Sequence, residues 1–208
     1  LEGLDMAAEL DTNIIIVVND NQMSIAENHG GLYKNLQLLR ETNGEAQCNL
    51  FKAMGLDYVY VGDGNNVKAL VEAFQKVKDT TRPVVVHINT VKGKGYKFAE
   101  EQKERFHWGF PFVIETGETK KEYQFGPDFG VHTAQLLLDE MQKDPAVVAL
   151  TAGTPGIWGW SPEMRKKAGK QFVDVGIAEE TAVAMSSAIA KRGAKPVFGV
   201  HSSFIQRT

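Results

Sequence analysis

Apolar positions in this chain come as short β-branched runs separated by stretches with helical spacing. The run Asn13-Ile14-Ile15-Ile16-Val17-Val18 shows no polar alternate, the pattern of a strand covered on both faces. It stops abruptly at Asn19-Asp20-Asn21. Helical spacing predicts a helix from Leu32 to Arg40 and a shorter one from Ala46 to Met54, stopped by Gly55, before a second strand at Tyr58-Val59-Tyr60-Val61. Beyond the Gly62-Asp63-Gly64 turn, Asn66 is placed to cap a helix reaching about Lys78, with Val67, Leu70, Val71, Phe74 and Val77 on one face. Pro83 breaks it, and Val84-Val85-Val86-His87-Ile88 reads as a third buried strand. Strands alternating with helices predict parallel β-α-β units.

From Lys92 to Phe129 the rhythm disappears into glycine, charge and aromatics, which reads as a loop and an interdomain connection. It then resumes, with a helix at Val131 to Gln142, a strand at Ala146 to Leu150, a helix at Pro162 to Ala168 and a strand at Phe172 to Val175. A helix from Glu179 to Arg192 and a strand at Pro196 to Val200 follow. The predicted class is therefore α/β, with two tandem parallel-sheet domains at residues 1–98 and 130–208, joined by a connection over 99–129. The two halves can be similar to one another. The small residues Ala182, Ala184, Ser186, Ser187 and Ala188 predict a close helix contact, between subunits included. Neither set of strands looks closed, and the opening Leu1 to Ala8 reads as mid-helix without a capping residue or an initiator Met. The expectation is a piece of a longer protein, with both α/β domains incomplete.

Composition narrows the function. The 208 residues are 43% hydrophobic and 24% charged, with 23 basic against 26 acidic side chains and a net charge of −3. That balance gives no electrostatic footprint for nucleic acid, and no apolar window approaches the roughly 18 residues of a membrane span. Cys48 alone cannot form an intramolecular disulfide, and no Cys/His cluster has zinc spacing, so a cytoplasmic location is expected.

In open parallel sheets ligands gather beyond the carboxyl ends of the strands, so polar groups there carry the candidate chemistry. Asn19-Asp20-Asn21-Gln22-Met23 offers carboxamide and carbonyl oxygens, hard ligands suited to Mg²⁺, although an Asx-rich turn has the same composition. Val91-Lys92-Gly93-Lys94-Gly95-Tyr96 suits an anion, but its order does not match the phosphate loop, and a charged turn explains it equally well. In Gly176-Ile177-Ala178-Glu179-Glu180, Glu179 stands at a strand-to-helix switch. It is either a helix-dipole cap or a carboxylate whose raised pKa lets it share a proton with a bound heterocycle. After the last strand, Phe204 can stack on a planar ligand and Arg207 can clamp an anion, or each can serve packing and surface. His107, among Phe106, Trp108 and Phe110, sits where a lowered pKa favours a neutral proton acceptor, or where a core histidine is simply satisfied. His29, His87 and His132 carry no specific signal.

Four segments, in order, carry a resemblance: Asn19-Asp20-Asn21-Gln22-Met23-Ser24-Ile25-Ala26-Glu27-Asn28, Lys92-Gly93-Lys94-Gly95-Tyr96, Asp174-Val175-Gly176-Ile177-Ala178-Glu179, and Ser202-Ser203-Phe204-Ile205-Gln206-Arg207. Over nearly its whole length the chain resembles the 1-deoxy-D-xylulose-5-phosphate synthase family, a branch of the transketolase-like thiamine diphosphate enzymes. The resemblance implies that both domains are of the thiamine-diphosphate-binding type and that the family's carboxyl-terminal domain lies outside this chain. It implies that Asn21, through its side chain, and Met23, through its carbonyl, hold the Mg²⁺ of the diphosphate, and that Tyr96 contacts the thiamine. Glu179 would hydrogen-bond the pyrimidine nitrogen, Phe204 would stack on the pyrimidine, and His107 would handle protons. Arg207 and His201 would face the substrate. The implied reaction is decarboxylation of pyruvate and transfer of the two-carbon unit to glyceraldehyde 3-phosphate, in a homodimer, with the piece in hand unable to turn over alone.

Departures leave alternatives. Glu180-Thr181 stand where the family has Gln-His, His201 where it has Tyr, Thr151-Ala152-Gly153-Thr154-Pro155 differs from the usual loop, and the connection from Asn28 to Tyr58 is short. A transketolase-like paralogue with another donor and acceptor, or a noncatalytic α/β scaffold, are the rival readings. Gly62-Asp63-Gly64 imitates the opening of the thiamine diphosphate signature but follows the Asn-Asp-Asn segment instead of preceding it, so it reads as a turn.

Overall fold

A computed structural model of the chain describes residues 2–10, 12–126 and 128–208, the side chain of Arg207 excepted. It folds as two compact units: Leu1–Met23 with Gly31–Lys103, and Ser24–Gly30 with Glu104–Thr208.

In the first unit, α1 (Glu2–Leu10) precedes β1 (Ile15–Asp20), α2 (Gly31–Glu41), α3 (Leu50–Ala53), β2 (Asp57–Val61), α4 (Val67–Val77), β3 (Val84–Asn89) and α5 (Lys97–Glu101). The strands form a parallel sheet of order β1-β3-β2, with Val17 and Val59 both opposite Val86. Central β3 is buried from Val84 to Ile88, as its unalternating run predicts. Its two faces serve different cores. Val84, Val86 and Ile88 pack with Val61, Ala73 and Val77, while Val85 packs with Leu36, Leu39, Phe51 and Leu56. β1 departs from the expected double coverage: Val17 is 50% exposed, because β1 lies at the edge of the described sheet.

Asn66 caps α4 as its position predicts, accepting from the amides of Lys68 and Ala69. The buried stripe of α4 runs through Leu70, Ala73, Phe74 and Val77. Val71 falls at the margin of that stripe and Val67 in the first turn, so both are exposed against expectation. The shorter helix predicted from Ala46 begins only after Asn49, whose side chain accepts from the Phe51 and Lys52 amides. The chain leaves α2 through Asn43 and Gly44, both at positive φ, with the Gly44 amide donating to the Leu39 carbonyl at 2.7 Å. A Cβ on Gly44 would lie 2.6 Å from Cβ of Tyr60, so the turn needs glycine for space as well as for conformation.

The second unit contains α6 (Phe129–Lys143), β4 (Val147–Thr151), α7 (Pro162–Ala168), β5 (Phe172–Asp174), α8 (Glu179–Lys191) and β6 (Lys195–Gly199). Its sheet is also parallel, of order β5-β4-β6. Ala134, Leu138 and Met141 of α6 pack with Val147, Ala149, Trp160 and Ala168. Residues 104–126, read as irregular, hold a bridge between Phe112 and Thr119 and a 3-10 turn at Lys121–Tyr123. Of the small residues expected to make a close contact, Ala182 is buried while Ala184, Ser187 and Ala188 are exposed. Among the described residues no helix is long and apolar enough to cross a membrane.

Candidate functional site

The two sheets end in the same device. In the first unit the last residue of β1, Asp20, accepts the Gln22 amide on Oδ1 at 3.1 Å, and Gln22 takes φ 66°. In the second unit the last residue of β5, Asp174, accepts the Gly176 amide on Oδ1 at 2.9 Å, and Gly176 takes φ 75°. Each strand-final carboxylate thus closes an Asx turn through a left-handed residue two positions on. Each turn lies beside a candidate cofactor group of its own unit.

Beside the first turn, the Asn21 carboxamide oxygen accepts the Met23 amide at 3.1 Å. A carboxamide oxygen has two lone pairs, so the turn bond leaves capacity for one cation contact. Asp20 points inward and is buried. Its Oδ2 takes the guanidinium of Arg40 and, at 3.0 Å, Nε2 of the fully buried His87, whose Nδ1 lies 2.7 Å from the Tyr58 hydroxyl. Burial pushes the Asp20 carboxyl up, but hydrogen bonds from His87, Arg40 and the Gln22 amide outweigh it and hold the group below the usual carboxylate range. Burial raises the Tyr58 phenol, helped by Tyr60 and the Asp20 charge, so its hydroxyl stays protonated and shares a hydrogen bond with Nδ1. Nε2–H of His87 then donates to Asp20. Among the described residues no group of three His, Cys, Asp or Glu side chains could hold a metal.

The glycine-lysine segment forms a turn into α5. Gly93 and Gly95 have positive φ, a Cβ on Gly93 would lie 2.7 Å from the Ala99 backbone, and the Gly95 amide donates to Glu100 at 2.8 Å. That amide is occupied by a carboxylate, which disfavours an anion at the same place. Tyr96, at the head of α5, is partly buried with its ring 5.6 Å from Phe98.

In the second unit Asp174 also accepts the Gly153 amide at 2.9 Å, tying the loop after β4 to the turn after β5. Its other oxygen faces His29 at 3.8 Å. Glu179, the first residue of α8, is 3% exposed. Arg165, 11% exposed, holds Glu104 at 2.9 Å and Glu27 at 3.2 Å. Burial lowers its pKa, yet Glu104 and Glu27 more than compensate and keep it charged.

The remaining predicted residues are more open. His107 is exposed, as are Trp108 and Phe110, with Phe106 meeting Phe112 and Trp108 meeting Phe110 edge to face, so the enclosed setting expected for the imidazole is not formed. His201 and Phe204 meet edge to face at 5.4 Å, with Phe204 37% exposed. The Arg207 side chain lies outside the described residues. The groups that sequence reasoning passed over are Arg40, Tyr58 and His87. One signal was available: a histidine inside a strand predicted to be covered on both faces must find hydrogen-bond partners.

A family model described as 1-deoxy-D-xylulose-5-phosphate synthase matches residues 1–49 and 41–90. The 1-deoxy-D-xylulose-5-phosphate synthase of Halothermothrix orenii is 33% identical across 99% of this chain, which spans 38% of that relative. The enzymes of the same name from Clostridium beijerinckii and Carboxydothermus hydrogenoformans are each 34% identical across 100% of the chain and 39% of their own length. The chain is homologous to the 1-deoxy-D-xylulose-5-phosphate synthases. It spans well under half the length of these relatives. The alignments run over 245 to 247 positions, so the relatives carry residues this chain lacks. The two family-model matches meet at residues 41–49, inside the connection from Asn28 to Tyr58 that reads as short and where the Asn43-Gly44 turn lies.

Proposed function

We propose that the protein decarboxylates pyruvate and transfers the two-carbon unit to glyceraldehyde 3-phosphate, using thiamine diphosphate and Mg²⁺ and giving 1-deoxy-D-xylulose 5-phosphate. Homology along the whole chain supports this reading, and one observation carries it: the Glu179 carboxylate, buried at the head of a helix beyond a strand-end turn.

The donor set fits the cofactor. A buried carboxylate is the group that can hold a proton shared with a ring nitrogen. Asn21 and the Met23 carbonyl are neutral oxygen donors suited to Mg²⁺, which takes its other ligands from diphosphate and water. Asp20 is committed to Arg40 and His87. When bound, thiamine diphosphate supplies the electron sink that decarboxylation requires.

Within this reading Glu179 holds the pyrimidine proton, Phe204 offers its exposed ring for stacking, and Tyr96 contacts the thiamine. His107 and His201 move or orient protons near the substrate, and Arg207 binds the substrate anion. A second reading, a transketolase-like paralogue with another donor and acceptor, is favoured by His201 and by Glu180-Thr181.

Incubating the protein, as its source makes it, with pyruvate, glyceraldehyde 3-phosphate, thiamine diphosphate and Mg²⁺ tests the proposal. Formation of 1-deoxy-D-xylulose 5-phosphate is expected. Cofactor binding without that product would overturn the substrate pair in favour of the paralogue.

A further inference from the structure

The four side chains Tyr58, His87, Asp20 and Arg40 use polar groups in a place where apolar ones would pack more cheaply. His87 is fully buried on the central strand, flanked in its run by Val86 and Ile88, and Asp20 is 5% exposed. Burying a charge and a polar ring at the heart of a small sheet costs free energy unless every group is paired. Here every group has a partner. The Tyr58 hydroxyl and Nδ1 of His87 share a hydrogen bond over 2.7 Å, Nε2–H donates to Oδ2 of the Asp20 carboxylate over 3.0 Å, and Arg40 caps the same oxygen. The other Asp20 oxygen faces the turn and takes the Gln22 amide.

The turn needs such a hold. Gln22 carries a Cβ at φ 66°, a conformation that side chains other than glycine adopt only under constraint. Its two neighbours are Asn21 and Met23, whose side-chain bond at 3.1 Å completes the same turn. Oδ1 of Asp20 can hold the Gln22 amide only if the carboxylate cannot rotate, and Arg40 and His87 on Oδ2 prevent that rotation.

We propose that the Tyr58–His87–Asp20–Arg40 relay is the positioning device of the Asn21–Met23 turn, and that His87 is its central positioning residue. The inference rests on the assignment of Asn21 and Met23 to the Mg²⁺-diphosphate site. In the absence of ligand the relay keeps the left-handed turn formed, so the cation and diphosphate meet oxygens already in place. His87 touches neither ligand and acts through Asp20.

Amide hydrogen exchange on the protein as its source makes it, read residue by residue, tests the relay without any ligand. In His87→Leu the protection of Gln22 and Met23 is expected to fall about tenfold, the loss of one hydrogen bond to a charged group, while Val85 and Val86 keep theirs. His87→Gln, whose amide can still donate to Asp20, is expected to restore most of that protection. Tyr58→Phe removes a single hydroxyl and is expected to lower protection at the same two amides by about threefold; it carries the test should His87→Leu fail to fold. Unchanged protection at Gln22 and Met23 in Tyr58→Phe and His87→Leu overturns the relay. So does an even loss across the first unit that His87→Gln does not relieve. Calorimetric titration with thiamine diphosphate and Mg²⁺ is the second readout, with affinity expected to fall about tenfold in His87→Leu and to return in His87→Gln. No Mg²⁺-dependent binding by the unaltered protein as its source makes it would overturn the cofactor assignment, whereas the exchange result judges the relay independently.

Discussion

The turn after β1 and the turn after β5 solve one problem with different residues. Both close on a strand-final aspartate that accepts the amide two positions later, and both require that later residue to be left-handed. In the second unit the residue is Gly176, for which the conformation carries no Cβ penalty, and Asp174 is held by the amides of Gly153 and Gly176, with His29 at 3.8 Å and the charge of Arg165 acting on it from further off. In the first unit it is Gln22, and its aspartate is gripped from behind by Arg40 and His87. A glycine makes the turn intrinsically accessible. A glutamine needs tertiary structure to enforce it, so the first turn is a property of the folded unit and the second is closer to a property of its own sequence.

Removing each carboxylate should break the two turns unequally. Asp20→Ala leaves the nearly buried Arg40 without its partner and is expected to cost about 3 kcal/mol in urea unfolding, the scale of a broken buried ion pair. The same carboxylate sets a pH dependence. Its folded pKa is depressed, so its contribution is complete above the unfolded value of about 3.9 and is lost as pH falls through the folded value. Asp20→Asn should remove this part of the acid limb, seen as a difference between the two stability curves below that pH. Equal acid limbs would contradict the network.

Asp174→Ala removes the acceptor of two backbone amides, while Arg165, which also feels its charge, keeps Glu104 and Glu27, and about 2 kcal/mol is expected. A loss equal to or larger than that of Asp20→Ala would reverse the ranking. The smallest effects sharpen the contrast in conformation. Gly176→Ala puts a Cβ at φ 75° and 3.1 Å from the His29 carbonyl, for about 1 kcal/mol. Gln22→Gly relieves a left-handed Cβ at the expense of unfolded-state entropy, and thermal unfolding should register less than about 0.5 kcal/mol either way.

Much of this arrangement was legible along the chain because it depends on local patterning. The β3 run, the Asn66 cap and the strand-helix alternation follow from residues close together in sequence. The exposure of Val17 did not, since an unalternating run says that a strand suits burial and not which neighbours cover it. Glu179 at the head of a helix was legible as a position, but its burial depends on the packing around it. The relay was least legible: His87 lies 67 residues from Asp20, and Arg40 lies 20 away on a helix. The enclosure expected around His107 was misread for the opposite reason: Phe106 meets Phe112 and Trp108 meets Phe110, and the imidazole is exposed.

The proposal that this is a thiamine diphosphate enzyme turns on Glu179. Exchange of the C2 proton of thiamine diphosphate in D₂O, followed by proton NMR with Mg²⁺ on the protein as its source makes it, measures its role directly. The account predicts that Glu179→Ala slows exchange by at least about a hundredfold, the usual contribution of a positioned acid-base group, while the cofactor still binds and the fold is kept. Exchange at the unaltered rate with cofactor bound to Glu179→Ala would contradict it.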